Sequence, residues 1–140
     1  MTKVSFYILA EESLEARARF AVKFVRQSFR KGLDVHCHVT SASEAEALDQ
    51  LLWDDEERFI PHEGEQDDSP KAPVGIGWQN PTDRHGVLVN LGGELPPWFS
   101  HFDHLVEIVV QEPKVLDTTR NTWKQLKFDG YPITQHDLRK

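Results

Sequence analysis

The sequence has few of the cysteines and long apolar runs that are typical of small disulfide-bonded, zinc-binding or membrane proteins. Its 140 residues include a single cysteine, Cys37, which excludes an intramolecular disulfide and any zinc site built on several cysteines. It also lacks an apolar run of the roughly 18 to 20 residues that cross a bilayer. The first residues show neither a basic leader nor a small-residue cleavage site. We therefore expect a cytoplasmic protein without a membrane partner.

Net positive charge is missing as well. The chain has 16 basic and 23 acidic residues, a net charge of −7, whereas gripping a nucleic-acid backbone usually takes a basic field. Strong direct binding to DNA is therefore disfavoured. The acidity is concentrated in residues 41–70, which carry one basic and 11 acidic side chains. Within this region, residues 63–72 are acidic and contain proline and glycine, which predicts a surface loop.

What the sequence does contain is an alternation of strand and helix patterns. Helices are predicted near residues 11–30, 41–52 and 113–127, with a short helix at 98–102. Strands are predicted near residues 4–9, 34–39, 73–78, 86–91 and 105–110, the last of these being the final strand. This alternation predicts an α/β fold: a single-domain, doubly wound, mostly parallel sheet with helices on both faces.

Three polar side chains near the start of the chain are the candidates for an enzyme site. His36 and His38 share one face of a predicted strand, but the spacing supplies no third metal ligand. Ser13 follows two glutamates at the point where a nucleotide-binding fold needs a glycine-rich turn, and these acids would repel a pyrophosphate. Structural histidines are the simpler interpretation. A small Rossmann-like nucleotide- or metal-binding enzyme remains the alternative.

The last predicted helix carries a stripe of mixed apolar and basic side chains. Leu116, Arg120, Trp123 and Lys127 recur at spacings of four, three and four. Such a face suits a short acidic peptide that ends in an aromatic residue, because a guanidinium holds a carboxylate while apolar side chains take the ring. Two alternatives are a solvated helix face and a single-stranded-DNA site that uses Trp98 and Trp123, which the net charge disfavours.

A second candidate interface follows the second predicted helix. Trp53, Phe59, Ile60 and Pro61 stand in a run that is otherwise dense in acids. Aromatic residues in such a setting are typical of the centre of a protein interface. The alternative is that Trp53 and Phe59 complete the core.

Several blocks of the sequence occur in the order typical of one known family. The blocks are Phe6 to Leu9, Leu51 to Trp53 with Phe59 to His62, Pro73 to Trp78, Phe102 to Glu107, and Arg120-x-x-Trp123 closing at Gly130. Over nearly the whole chain they resemble the chi-subunit family of the bacterial DNA polymerase III holoenzyme. The resemblance implies one domain over residues 1–140. It also implies a non-catalytic accessory subunit in DNA replication, with a Rossmann-like fold that uses no nucleotide, metal or other cofactor.

The resemblance also implies two partners. One is the psi subunit of the clamp loader, on a surface with Trp53, Phe59, Ile60 and Pro61 that a helicase-like competitor would share. The other is the acidic C-terminal tail of the single-stranded-DNA-binding protein, which ends in proline and phenylalanine with a free carboxylate. The implied tail-binding residues are Val109, Leu116, Arg120, Trp123, Lys124 and Lys127. Some relatives have a lysine at the position of Leu116, a loss of charge for which Lys124 or Lys127 would compensate.

Overall fold

The strands and helices alternate along the chain. The computed structural model describes residues 2–53, 62–63, 74–78, 85–92 and 94–139. Their elements are β1 (Lys3–Ile8), α1 (Leu14–Arg30), β2 (Val35–His38), α2 (Ala42–Trp53), β3 (His62–Glu63), β4 (Val74–Gly77), β5 (Val87–Asn90), a 3₁₀ helix (Phe99–His101), β6 (His104–Val109), α3 (Pro113–Phe128) and β7 (Ile133–Asp137). Within these ranges no helix is long and apolar enough to cross a bilayer.

The strands form one parallel sheet in the order β3-β4-β2-β5-β6-β1-β7. Side chains of α1 and α2 pack on one face, while α3 and the 3₁₀ helix pack on the other. The predicted α/β fold with helices on both faces is therefore confirmed. β1 and β2 are not adjacent, because β6 and β5 lie between them.

Two strands were not predicted. The expectation that residues 105–110 form the last strand is wrong, because β7 pairs with β1 at the edge of the sheet. Ile133 and His136 are half-buried while the other positions of β7 are exposed, so this edge strand lacks the apolar run of a central one. β3 has two residues and pairs with β4. A strand of this length is too short to show an alternation of apolar and polar residues in the sequence. The short helix predicted at 98–102 is a 3₁₀ helix of three residues.

The helix ends follow from capping side chains. Ser13 Oγ accepts a hydrogen bond from the backbone N–H of Ala16 at 3.1 Å, so α1 begins at Leu14 rather than at residue 11. Gly32 has a φ of +77°, the left-handed conformation that ends helices and that glycine adopts without strain. Glu112 caps α3 by accepting from Val115 N–H at 2.9 Å, and Pro113 opens its first turn.

The sheet separates two apolar cores. The core under α1 and α2 contains Val25, Leu52 and the single cysteine, Cys37. The core under α3 contains Phe6, Phe102 and Leu126. Of the predicted acidic loop, Glu63 lies in β3, and residues 64–72 lie outside the described residues.

Candidate functional site

A cleft of about 350 Å³ lies between α3 and the β6-β1-β7 edge of the sheet. Its apolar surface comes from three elements: Phe6 and Ile8 from β1, Val109 from β6, and Leu116 and Trp123 from α3. Phe6 and Val109 are buried core residues, so this surface is fixed by the sheet itself.

The charged side chains of the cleft all have one sign. Arg120 and Lys124 line it from α3, and Arg139 lines it from the segment after β7. Gln111, Thr119 and Gln135 complete the lining, which includes no acid among the described residues. The whole chain has a net charge of −7. A cationic cleft on an acidic protein favours an anionic ligand.

A second apolar groove, on the other face of the sheet, has a different charge pattern. A groove of about 470 Å³ between α1 and α2 is lined by apolar side chains such as Leu14 and Leu51 together with Glu15, Arg17 and Glu44. Its lining therefore carries two acids against one base. An acidic ligand would favour the cleft at α3 over this groove.

Arg120 is only weakly engaged within the chain. Its Nη1 lies 3.3 Å from Asp117 Oδ1, and the two side chains are 69% and 76% exposed. An exposed ion pair of this kind contributes about 0 to 1 kcal/mol. The guanidinium can therefore exchange Asp117 for the carboxylate of a ligand at little cost.

Trp123 separates the cleft from a second hollow along α3. Lys127 Nζ lies 4.6 Å from the centre of the Trp123 ring, within the range of a cation–π contact. The second hollow, of about 410 Å³, is lined by Trp123, Lys127, Tyr131, Ile133 and Gln135. The concave surface of the cleft thus continues along β7 beyond the Trp123 ring.

Hydrogen bonds to backbone carbonyls hold the strand side of the cleft in place. Gln111 Nε2 donates to the carbonyl of Leu9 at 3.0 Å, and its backbone N–H donates to the carbonyl of Glu11 at 2.8 Å. Leu138 N–H donates to the carbonyl of Ile8 at 2.8 Å, which extends the β1–β7 ladder past β7. The turn after β6 is therefore tied to the segment that follows β1, and the chain after β7 is tied to β1 itself.

The structure brings five of the six predicted tail-binding residues to one cleft: Val109, Leu116, Arg120, Trp123 and Lys124. Lys127 lies one turn further along α3, beside Trp123. The helix spacing did not reveal the other lining residues, which are Phe6, Ile8, Gln111, Thr119, Gln135 and Arg139. Most of these come from strands β1 and β7 or from the segments that follow strands, and only the sheet order places them beside α3.

Comparison with known proteins agrees with the order of the sequence blocks. A family model described as "DNA polymerase III chi subunit, HolC" matches residues 1–134. The chain belongs to the DNA polymerase III chi subunit family. It is 32% identical over 140 residues to "DNA polymerase III subunit chi" of Pseudomonas aeruginosa, covering 99% of this chain and 98% of that protein. It is 27% identical over 138 residues to the protein of the same name from Haemophilus influenzae, covering 95% of each chain. This chi-family protein is thus a DNA polymerase III subunit of DNA replication.

The predicted psi-binding residues of this chi-family protein lie at the margin of the described structure. Trp53 is the last residue of α2, and Phe59, Ile60 and Pro61 lie outside the described residues. The backbone positions that flank them are in α2, which packs on the sheet, and in β3 at the edge of the sheet opposite β7.

A buried polar network lies at the carboxyl ends of β5 and β6. Glu107 Oε1 accepts from Asn90 Nδ2 at 2.8 Å. Arg17 donates from Nε to the carbonyl of Ile108 at 3.0 Å and from Nη1 to the carbonyl of Leu91 at 3.2 Å. Burial raises the pKa of Glu107 to about 8, although the Asn90 hydrogen bond and the Arg17 charge oppose that shift. Burial likewise lowers the pKa of Arg17.

This network bears on the alternative of a nucleotide-binding enzyme. Doubly wound folds hold nucleotides outside the carboxyl ends of their strands. Here Glu107, Glu112 and Glu44 line the space at the ends of β5 and β6, with Arg17 and Lys114 beside them. Ser13, the serine of that alternative, caps α1. The carboxylates of Glu44 and Glu112, together with a guanidinium already bound to strand carbonyls, disfavour a phosphate at this position.

The two histidines of the metal alternative belong to an aromatic cluster. The rings of His36 and His38 are 6.5 Å apart, and each meets the Trp98 ring edge-on, at 5.9 and 5.2 Å. Burial lowers the pKa of His38. Among the described residues, no group of three or more side chains could hold a metal ion. Trp98 packs against these rings and, unlike Trp123, is not among the lining residues of the cleft.

Proposed function

We propose that this chain is a non-catalytic accessory subunit of DNA polymerase III that bridges two partners during DNA replication. One chi-like domain over residues 1–140 would bind the clamp-loader complex through psi. It would also bind the acidic C-terminal tail of the single-stranded-DNA-binding protein. The observation that carries this proposal is the apolar cleft at α3, whose charged lining residues are all cations on a chain of net charge −7.

The chemistry of the cleft suits a peptide that ends in an aromatic residue. Phe6, Ile8 and Val109 offer apolar surface for a phenylalanine ring. Arg120 lines the α3 side of the cleft, and two N–H groups of its planar guanidinium can donate to the terminal carboxylate. Lys124 and Lys127 follow along the same helix and would attract acidic residues further up the tail. A tail with a ring, a free carboxylate and upstream acids meets each of these groups.

We propose that the two surfaces are used simultaneously. β3, whose neighbours in sequence include Phe59 to Pro61, and β7, which borders the cleft, are at opposite edges of the sheet. Six strand spacings separate them, about 29 Å at roughly 4.8 Å per strand. Trp53, Phe59, Ile60 and Pro61 are thus proposed to bind psi, or a helicase-like competitor, while a tail occupies the cleft.

A weak contact is sufficient for such a bridge. Many copies of the tail are present along a coated single strand, so each release is followed by recapture at high effective concentration. Micromolar affinity then keeps the polymerase complex near its template without strong contact between this chain and DNA.

The test is a fluorescence-anisotropy titration of a labelled acidic peptide that ends in Pro-Phe, with a free carboxylate or with a C-terminal amide. We expect saturable binding of the acid form, a large loss with the amide, and weakening as salt rises, because charge contributes. Absence of binding, or equal binding of both forms, would contradict the proposed tail-docking role.

A further inference from the structure

The strand side of the cleft carries a second arginine that is held more firmly than Arg120. Arg139 Nε lies 2.9 Å from Asp137 Oδ1, and its Nη2 lies 2.7 Å from Asp137 Oδ2. This ion pair is bidentate, with two short hydrogen bonds, whereas Arg120 makes a single contact of 3.3 Å with Asp117. Bidentate arginine–carboxylate pairs are stronger than pairs joined by a single hydrogen bond. The two arginines of the cleft are therefore not equally free to meet a ligand.

Two arginines in one cleft suit a ligand that carries two carboxylates. Arg120 reaches the cleft from α3, and Arg139 reaches it from beyond β7, so they belong to different elements that line the same 350 Å³ space. Successive residues of an extended peptide advance by roughly 3.3 Å. A terminal carboxylate and the side chain of an acid a few residues upstream could therefore engage the two sides together.

We infer that Arg139 is a second carboxylate-binding side chain of the cleft, and that Asp137 competes inside the chain for that arginine. This inference rests on the proposed function, and it adds that Arg139 is the side chain that binds an acid upstream of the peptide's terminal carboxylate. Asp137 is itself absent from the lining of the cleft. It acts on the peptide only through its hold on Arg139.

Asp137, which competes with the peptide for Arg139, stays charged near neutral pH. The hydrogen bonds from Arg139 lower the pKa of Asp137 to about 2, so mild acidification does not release the arginine. Both side chains are about half exposed, 49% for Arg139 and 50% for Asp137. Water and salt therefore weaken the pair, and an incoming carboxylate can displace Asp137.

The decisive variant is Asp137→Asn, which removes the competing charge. Asparagine keeps an oxygen that can accept from the backbone N–H of Arg139, now 3.0 Å from Asp137 Oδ1. We expect the variant to bind the acidic peptide about two- to fivefold more tightly, the size expected for an exposed ion pair. Arg139→Ala should weaken binding by about three- to tenfold. In the Arg139→Ala background, Asp137→Asn should have no further effect.

Glu15→Gln is the matched control. It removes one acid from another exposed pair, Glu15 with Arg19 at 2.6 Å on α1, and changes the net charge by the same amount. If the gain from Asp137→Asn came from long-range charge alone, Glu15→Gln would give the same gain. A second peptide, with amides in place of its upstream acids and a free terminal carboxylate, should gain nothing from Asp137→Asn.

The outcomes separate this inference from the function on which it rests. Tighter binding by Asp137→Asn, with no gain in Glu15→Gln or in the Arg139→Ala background, supports the inference. If the unmodified chain binds the peptide but Arg139→Ala binds it equally well, the inference is overturned and the tail-docking role stands. The inference is also overturned if both acid-removing variants gain alike. If the unmodified chain does not bind the peptide, both proposals fail.

Discussion

The buried carboxyl group of Glu107 makes a sharp prediction about how stability depends on pH. Glu107 lies inside the domain, with Asn90 as its hydrogen-bond donor and Arg17 nearby. Loss of water around the carboxylate raises its pKa from the ordinary 4.5 to about 8. Glu107→Gln removes this titration. It keeps an oxygen to accept from Asn90 and nearly the same volume.

The sign and size of the effect follow from that shift. Between pH 4.5 and about 8 the folded chain keeps a proton on Glu107 that the unfolded chain has released. The free energy of unfolding therefore falls as pH rises through this window. The stabilising contribution is complete below the ordinary pKa and is lost by about pH 8. At about 1.4 kcal/mol for each pKa unit, the loss across the window is about 5 kcal/mol.

Urea unfolding of both proteins, between about pH 5 and about pH 8, measures this loss. We expect nearly equal free energies of unfolding at the acid end and a growing advantage of Glu107→Gln toward the alkaline end, reaching several kcal/mol. Every other ionisable side chain is present in both proteins, so the difference between them isolates Glu107. Two curves that stay parallel across the range would refute the reasoning.

Three further predictions concern the interfaces and the core. Trp53→Ala should weaken the complex with psi, measured by calorimetry, and leave tail-peptide affinity unchanged; the reverse pattern would mean that the two surfaces are interchanged. Trp123→Ala should weaken peptide binding, measured by anisotropy, because it removes both an apolar wall and the ring beside Lys127; unchanged affinity would place the peptide elsewhere. Leu126→Ala removes a side chain that is 0% exposed, so urea unfolding should show a loss of about 2 to 5 kcal/mol, and a much smaller loss would contradict tight packing there.

The α3 side of the cleft was predictable from sequence because helix periodicity places residues of one stripe on one face. Leu116, Arg120 and Trp123 recur at helical spacing, and all three line the cleft. The same periodicity carried Lys127 into the predicted set. The structure places Lys127 about one turn beyond the cleft, against the ring of Trp123.

The strand side was not predictable, since it depends on the order of strands rather than on local pattern. β7 has a single large aliphatic residue, Ile133, and as an edge strand it needs no apolar run. Because β7 lies beside β1, Gln135 and Arg139 line the same cleft as Phe6, although more than a hundred residues separate them from Phe6 in the sequence. The Asn90–Glu107 pair was missed for the same reason, because it joins adjacent strands through side chains far apart in sequence.

The central claim is that the cleft holds the terminal carboxylate of an acidic peptide through Arg120. The most direct test compares acid and amide forms of the peptide on the unmodified chain and on Arg120→Ala, with Arg19→Ala on α1 as the control. Arg120 is mostly exposed, so its charge-assisted bond should contribute about 1 to 2 kcal/mol, or about 5- to 30-fold in affinity. The account predicts that the acid form binds more tightly than the amide on the unmodified chain and on Arg19→Ala. It also predicts that this preference disappears on Arg120→Ala. An undiminished preference on Arg120→Ala would contradict it.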